Sequence, residues 1–140
     1  MKKVVVDASV AIKWFIPEVH SAGAARLLDS DVVLSAPDLI APEFGNTLWK
    51  KVRRAEVTHV EAGEILSAFA GIPLDIYPSA ALLPAAFEIA ATLDRSVYDS
   101  LYLALAVAEN CELVTADAKF HSAVLESPLG SHICWVDAEA

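Results

Sequence analysis

The chain has 140 residues, 56% of them hydrophobic, and a formal net charge of −9. Length and composition fit one compact domain with a sizeable core and exclude a disordered chain, and no apolar run is long enough to span a membrane. The acidic excess weighs against a protein that grips nucleic acid unspecifically, because phosphate contacts need lysine and arginine.

In chain order, Val4 to Val6 reads as a buried strand ending at Asp7. Ser9 to Phe15 reads as a short helix stopped by Pro17, and Ser21 to Leu28 as a second helix. Val32 to Ser35 is a predicted strand by its β-branched content. A longer helix is expected over Asp38 to Arg54, with Pro42 tolerated near its first turn. Thr58 and Glu61 form a Thr-x-x-Glu capping box, so a further helix opens there and ends near Gly71. Leu74 to Tyr77 is a predicted strand. Ser79 to Leu93 is predicted helical, with Pro84 either in the first turn or kinking the helix. Leu101 to Ala108 is apolar nearly all round, the mark of a helix in the interior. Glu112 to Thr115 reads as a strand and Ala118 to Leu125 as a helix. Pro128 and Gly130 mark a loop before a last strand, Ile133 to Val136.

Strands alternating with helices, with short apolar runs, call for an α/β fold. The expected architecture is a three-layer α/β/α sandwich around a mostly parallel sheet, as a single domain over residues 1–140. The N-terminus passes from Lys2 and Lys3 straight into a strand without a signal-peptide pattern, so a cytoplasmic location is expected. Cys111 and Cys134 each adjoin a predicted strand and read as buried, reduced thiols.

The chemistry lies in the acids. Asp7 and Asp117 follow predicted strands, Tyr98-Asp99 reads as a junction of the same kind, and Glu43 sits early in a helix. Each has an innocent reading, as a helix cap or as a charge favoured at a helix N-terminus. Capping alone, however, gives no reason to prefer acid over serine or asparagine at neighbouring junctions. In a parallel sheet the carboxyl ends of the strands share one edge, where ligands bind. Carboxylates gathered there repel, and a proton or a metal ion relieves them. Oxygen donors without histidine or paired cysteines favour Mg²⁺ or Mn²⁺ over Zn²⁺. A metal-dependent phosphodiester hydrolase is the first hypothesis.

Four blocks carry a family resemblance: Val4-Val5-Val6-Asp7-Ala8-Ser9, Ala41-Pro42-Glu43-Phe44-Gly45-Asn46-Thr47-Leu48, the run from Ser96 through Asp99 to Ala106, and Leu113-Val114-Thr115-Ala116-Asp117-Ala118-Lys119-Phe120. In order and content they resemble the motifs of PIN domains, and more narrowly the VapC-type toxins of toxin–antitoxin pairs. The resemblance implies that Asp7, Glu43, Asp99 and Asp117 are an acidic quartet that binds Mg²⁺ or Mn²⁺. It implies that Ser9 and Thr115 line or support the site and that Asn46 is a polar position of the second block. It further implies metal-dependent cleavage of RNA by activated water, a homodimer, and inhibition by a cognate VapB-like antitoxin. His20, His59, His121 and His132 fall outside these blocks and read as loop or surface residues.

Lys50 and Lys51, with Arg53 and Arg54, form a basic cluster downstream of Glu43. The plain reading is a solvated helix end favoured by the dipole, and the functional one is contact with RNA. Lys13 and Lys119, close in sequence to the acids, are comparable candidates. Trp14, Phe15 and Trp49 serve either the core or a groove for an antitoxin helix. Two rival functions are a non-catalytic Mg²⁺-binding module for RNA or protein, and a phosphatase of the haloacid-dehalogenase type. The latter normally carries a second Asp two residues after its nucleophile, where this chain has Ser9.

Overall fold

Val4, Val5 and Val6 are buried almost completely, and a strand apolar on both faces has to lie between two covering layers. The computed structural model describes residues 2–138. In it β1 (Lys3–Val6) is the centre of a five-stranded sheet. The strands β2 (Val33–Pro37) and β4 (Glu112–Thr115) flank it, and β3 (Leu74–Tyr77) and β5 (Ile133–Trp135) form the edges. The order is β3-β2-β1-β4-β5, and all four pairings are parallel. Val5 stands opposite Ser35 on one side and Leu113 on the other. The chain moves outward from β1 through β2 to β3, then returns to add β4 and β5 on the opposite side. The strand order therefore reverses between β1 and β4, and a crevice opens beyond their carboxyl ends.

Helices α1 (Ala8–Ala11), α2 (Ser21–Asp29), α3 (Ile40–Arg53) and α4 (His59–Ala70) pack on one another and form one layer. A 3₁₀ turn, Ile12–Trp14, continues α1. Three aromatic rings bind this layer together. Phe44 stacks on Phe69 at 4.0 Å, and Phe15 meets them edge-on at 5.7 and 6.4 Å. Gly23 in α2 lets the chain after β5 come close, since a Cβ there would lie 2.6 Å from the Val136 carbonyl oxygen. The other layer holds α5 (Ser79–Leu93) and α6 (Val97–Ala108), with α7 (Ala118–Leu125) against β4 and β5. Every residue of α6 from Ser100 to Ala106 is buried, against β1, β2 and β4. Truncating Leu103 there would cost about 2–5 kcal/mol.

The structure departs from the sequence reading at Asp99 and at the cysteines, and it decides between the alternatives left open for Pro84. Asp99 does not follow a strand. Asp94, in the left-handed region at φ 53°, ends α5, and Ser96 caps α6 by accepting the Asp99 N–H at 3.0 Å. That leaves no room for a strand, and α6 begins at Val97, four residues before the apolar run at Leu101. Pro84 lies inside α5 and not in its first turn. Cys111 and Cys134 are free thiols but only half-buried, each with its pKa raised chiefly by burial. Among the described residues, no helix is long and apolar enough to cross a membrane.

Candidate active site

The crevice at the reversal point holds a cavity of about 400 Å³ lined by Asp7, Glu43, Asp99 and Asp117, together with Ser9, Asn46, Tyr102, Lys13, Lys50 and Lys51. These four acids come from four places: the end of β1, the first turn of α3, the first turn of α6 and the end of β4; a fifth, Glu18, also lines the cavity.

Asp7 is the most constrained. Its Oδ1 accepts the Val10 N–H at 3.2 Å, which caps α1, and the Ser9 hydroxyl at 2.5 Å. Its Oδ2 accepts the Thr115 hydroxyl at 2.6 Å. A carboxylate offers about four acceptor sites, so these donors leave room for one more partner. Asp7 is only 7% exposed. Burial pushes its pKa up to about 6; the Ser9, Thr115 and Val10 donors pull it down, and the nearby Asp99 charge pushes it up. Ser9 and Thr115 also bind the two crevice loops together. The Ala116 N–H donates to Ser9 Oγ at 3.1 Å, and the Asp117 N–H to Thr115 Oγ1 at 3.1 Å. Thr115 is fully buried and supports the cavity from behind. Ser9 spends its hydroxyl on Asp7, where a haloacid-dehalogenase site would need a second carboxylate.

Glu43 is half-buried and accepts the Tyr102 hydroxyl on Oε1 at 2.5 Å. Burial raises its pKa, with a further rise from Asp99, against the lowering effect of the Tyr102 hydrogen bond. Burial and the Glu43 carboxylate in turn push the Tyr102 phenol far above its ordinary range, so Tyr102 remains a hydrogen-bond donor. Asp117 Oδ1 caps α7 by accepting the Phe120 N–H at 3.1 Å. Its Oδ2 and that of Asp99 share one cation, with Arg95 Nη2 at 3.8 and 3.0 Å respectively.

The cavity also draws in Lys13, Lys50 and Lys51, whereas Lys119 is exposed and does not line it. Glu18 bridges two of them, at 2.8 Å from Lys13 and 3.0 Å from Lys51. Burial alone would raise the Glu18 pKa, but the two lysines outweigh it and hold it below the usual value. Trp49 is exposed, while Trp14 is packed on the core and donates its indole N–H to the Ala24 carbonyl at 2.9 Å. None of the four histidines lines the cavity. Tyr102, Arg95 and Glu18 were not singled out by the sequence. Tyr102 had a faint local signal, standing one helical turn after Asp99 on α6, whereas Arg95 lies ahead of the α6 cap.

The residues fit a hard cation in kind, being oxygen donors around a water-accessible cavity, one of them a buried carboxyl whose ionised form needs a counter-charge. Among the described residues, no three acidic, imidazole or thiol groups already stand in the arrangement that grips an ion directly. Such an ion would keep much of its water, as Mg²⁺ does.

The sequence matches the family description "PIN domain" over residues 4–124. The chain belongs to the PIN domain family. Among its relatives, Ribonuclease VapC3 of Pyrobaculum aerophilum is 35% identical over 117 residues, covering 82% of this chain and 89% of that protein. Ribonuclease VapC9 of Mycobacterium tuberculosis is 34% identical, covering 83% and 87% respectively. A solved structure from Pyrobaculum aerophilum, PAE2754, superposes with a TM-score of 0.69 at 22% identity, covering 97% of this chain and 85% of that one. VapBC2 of Rickettsia felis, solved on a promoter DNA fragment, superposes at 0.67 with 16% identity, covering 95% and 98%. These likenesses establish the PIN fold of the three-layer sandwich.

Proposed function

We propose that this PIN domain is a VapC-type endoribonuclease, the toxin of a toxin–antitoxin pair, which hydrolyses RNA phosphodiester bonds with the help of Mg²⁺ or Mn²⁺. The observation that carries the reading is the convergence of Asp7, Glu43, Asp99 and Asp117 in one crevice beside Lys13, Lys50 and Lys51. It is supported by relatives that bear the name ribonuclease over most of their length.

Asp7, Asp99 and Asp117 would hold the ion, directly or through water, with Glu43 completing the set or orienting the attacking water. A divalent ion bound there supplies Lewis acidity toward the scissile phosphate and a water of lowered pKa. Tyr102 engages Glu43 Oε1 and so leaves Oε2 for a water. A carboxylate with a raised pKa is the better acceptor for that water's proton. Ser9 and Thr115 fix the Asp7 carboxylate in place. Lys13, Lys50 and Lys51 would take the flanking phosphates of the RNA, with Lys119 a more remote candidate. The expected products are a 3′-hydroxyl and a 5′-phosphate.

The cognate partner would be a VapB-like antitoxin, and the place of action the cytoplasm, where RNA is met. A homodimer is supported by α5, which is apolar along its length although only Ala86 is buried and Leu83 and Phe87 are exposed. The test is induced expression of the wild type and of Asp99→Asn, followed by mapping of new RNA 5′ ends. Growth arrest with discrete cleavage sites in the wild type alone is expected. The same cleavage from Asp99→Asn would reject the assignment.

A further inference from the structure

Arg95 has no part in the chemistry above, yet it sits on the acids. It lies in the turn between α5 and α6, set by the left-handed Asp94 before it and the Ser96 cap after it. Its Nη2 donates to Asp99 Oδ2 at 3.0 Å and stands 3.8 Å from Asp117 Oδ2. Its Cζ is 5.2 Å from the Phe120 ring centroid, and its side chain is 23% exposed. Among the described residues it is the one basic side chain paired with any of the four acids. Its Nε is buried and has no hydrogen-bond partner there.

An arginine selected for the strongest possible carboxylate contact uses two parallel N–H donors on one carboxylate. Arg95 instead spreads one nitrogen over two acids and leaves Nε unused, so the pairing is breakable. It also engages one oxygen of each of two carboxylates that line the cavity, Asp99 Oδ2 and Asp117 Oδ2. A guanidinium and a divalent ion drawn to the same two carboxylates repel each other, so each weakens the other's hold.

We propose that Arg95 is a resident counter-cation of this site. It holds Asp99 and Asp117 together in the metal-free protein and is displaced from them when a divalent ion loads, so the metal affinity is set by competition with it. Stacking on Phe120 keeps the displaced guanidinium beside the cavity. The proposal rests on the reading that the crevice takes a divalent ion, and it goes beyond that reading in naming what the ion must displace.

The test compares chelator-treated wild type, Arg95→Gln and Arg95→Lys, by thermal melting with and without Mn²⁺ and by calorimetric titration with Mn²⁺ alone. Arg95→Gln should melt lower without the ion but bind Mn²⁺ more tightly, on the order of tenfold, so that the melting gap closes at saturating Mn²⁺. A purely structural arginine gives a different result, with the same melting deficit with and without the ion and an unchanged affinity, and that result overturns the proposal. Weaker Mn²⁺ binding by Arg95→Gln also overturns it. If Arg95→Gln does not fold without the ion, Arg95→Lys decides, because its ammonium reaches one acid and not two. Tighter binding than wild type supports competition, and equal or weaker binding refutes it. Absence of Mn²⁺ binding in the wild type overturns the metal site itself, and is distinct from wild-type binding that Arg95→Gln leaves unaltered.

Discussion

Asp7→Asn should make the metal-free protein more stable at pH 8 while removing its function. The Asp7 carboxyl is buried, and its pKa rises from 3.8 in the unfolded chain to about 6. Between those values the folded state holds a proton that the unfolded state has lost, so stability falls as pH rises from about 4 through about 6. Above that window the full penalty is in force. A shift of about 2 units corresponds to about 3 kcal/mol. Asparagine has nearly the same shape and no charge to bury. It can still accept from Ser9 and the Val10 N–H on its oxygen, but its amide nitrogen cannot accept the Thr115 hydroxyl, a loss of about 1 kcal/mol.

The net expectation is that Asp7→Asn is about 2 kcal/mol more stable than wild type at pH 8, or roughly 5–8 °C in melting temperature. The advantage should shrink on acidification and vanish or reverse by pH 4. The measurement is denaturant unfolding of both proteins in chelator at pH 4, 6 and 8. Glu18, Asp38, Glu61 and Glu109, whose pKa values are lowered, titrate in both proteins and cancel in the difference. A stability difference that does not change with pH would refute the reasoning, because burial of the charge would then not be what raises the pKa.

Addition of millimolar Mg²⁺ or Mn²⁺ should raise the melting temperature of chelator-treated protein, since the proposed ion site exists only in the folded state; no shift would count against the metal site. Tyr102→Phe removes the donor to Glu43, so stability should fall by about 1–2 kcal/mol, and the acid limb of the cleavage–pH profile should move upward as the Glu43 pKa climbs. A profile that stays in place would show Tyr102 to be structural only. Glu18→Gln frees Lys13 and Lys51, so RNA should bind several-fold more tightly at low salt with a steeper salt dependence; unchanged affinity and slope would remove those lysines from the RNA path. Leu83→Glu combined with Phe87→Glu on α5 should yield a folded monomer by light scattering, and an intact dimer would place the interface elsewhere.

The strands were legible because short β-branched runs bounded by polar residues have few alternatives, as at Val4–Val6 and Glu112–Thr115. Asp7 and Asp117 were legible for the same reason, since a strand end fixes where the next side chain emerges. The same logic misplaced Asp99, whose position is set by a helix cap two residues beyond a left-handed turn, a feature that leaves little pattern in apolar spacing. The burial of α3 was readable in part. Ile40, Phe44 and Leu48 recur every four residues and take the inward face, which turns Trp49 outward. The phase is blurred in α5, where Leu82, Ala86, Ile89 and Leu93 turn inward but Leu83 and Phe87 beside them are exposed, with only Glu88 and Thr92 to mark the outer face. The contacts from Tyr102 to Glu43 and from Glu18 to Lys51 span 59 and 33 residues, and nothing local announces them.

The capping and functional readings of the acids are not alternatives. Asp7 does cap α1, and Asp117 does cap α7, through their Oδ1 atoms. Asparagine or serine would cap as well, without a charge. At Asp117, which is partly exposed and 3.8 Å from Arg95, an amide would give up little more than a long, solvent-screened ion pair. At Asp7 the choice between acid and amide is not neutral. The position is buried, lies close to the Asp99 charge, and disfavours ionisation at neutral pH by about 3 kcal/mol. A domain with a total stability on the order of 10 kcal/mol gives up a substantial fraction of it there. A cap alone cannot account for that loss. A ligand that needs the ionised carboxylate and is bound only by the folded protein can account for it, and Asp7 is therefore the residue at which the folding and metal-binding experiments must agree.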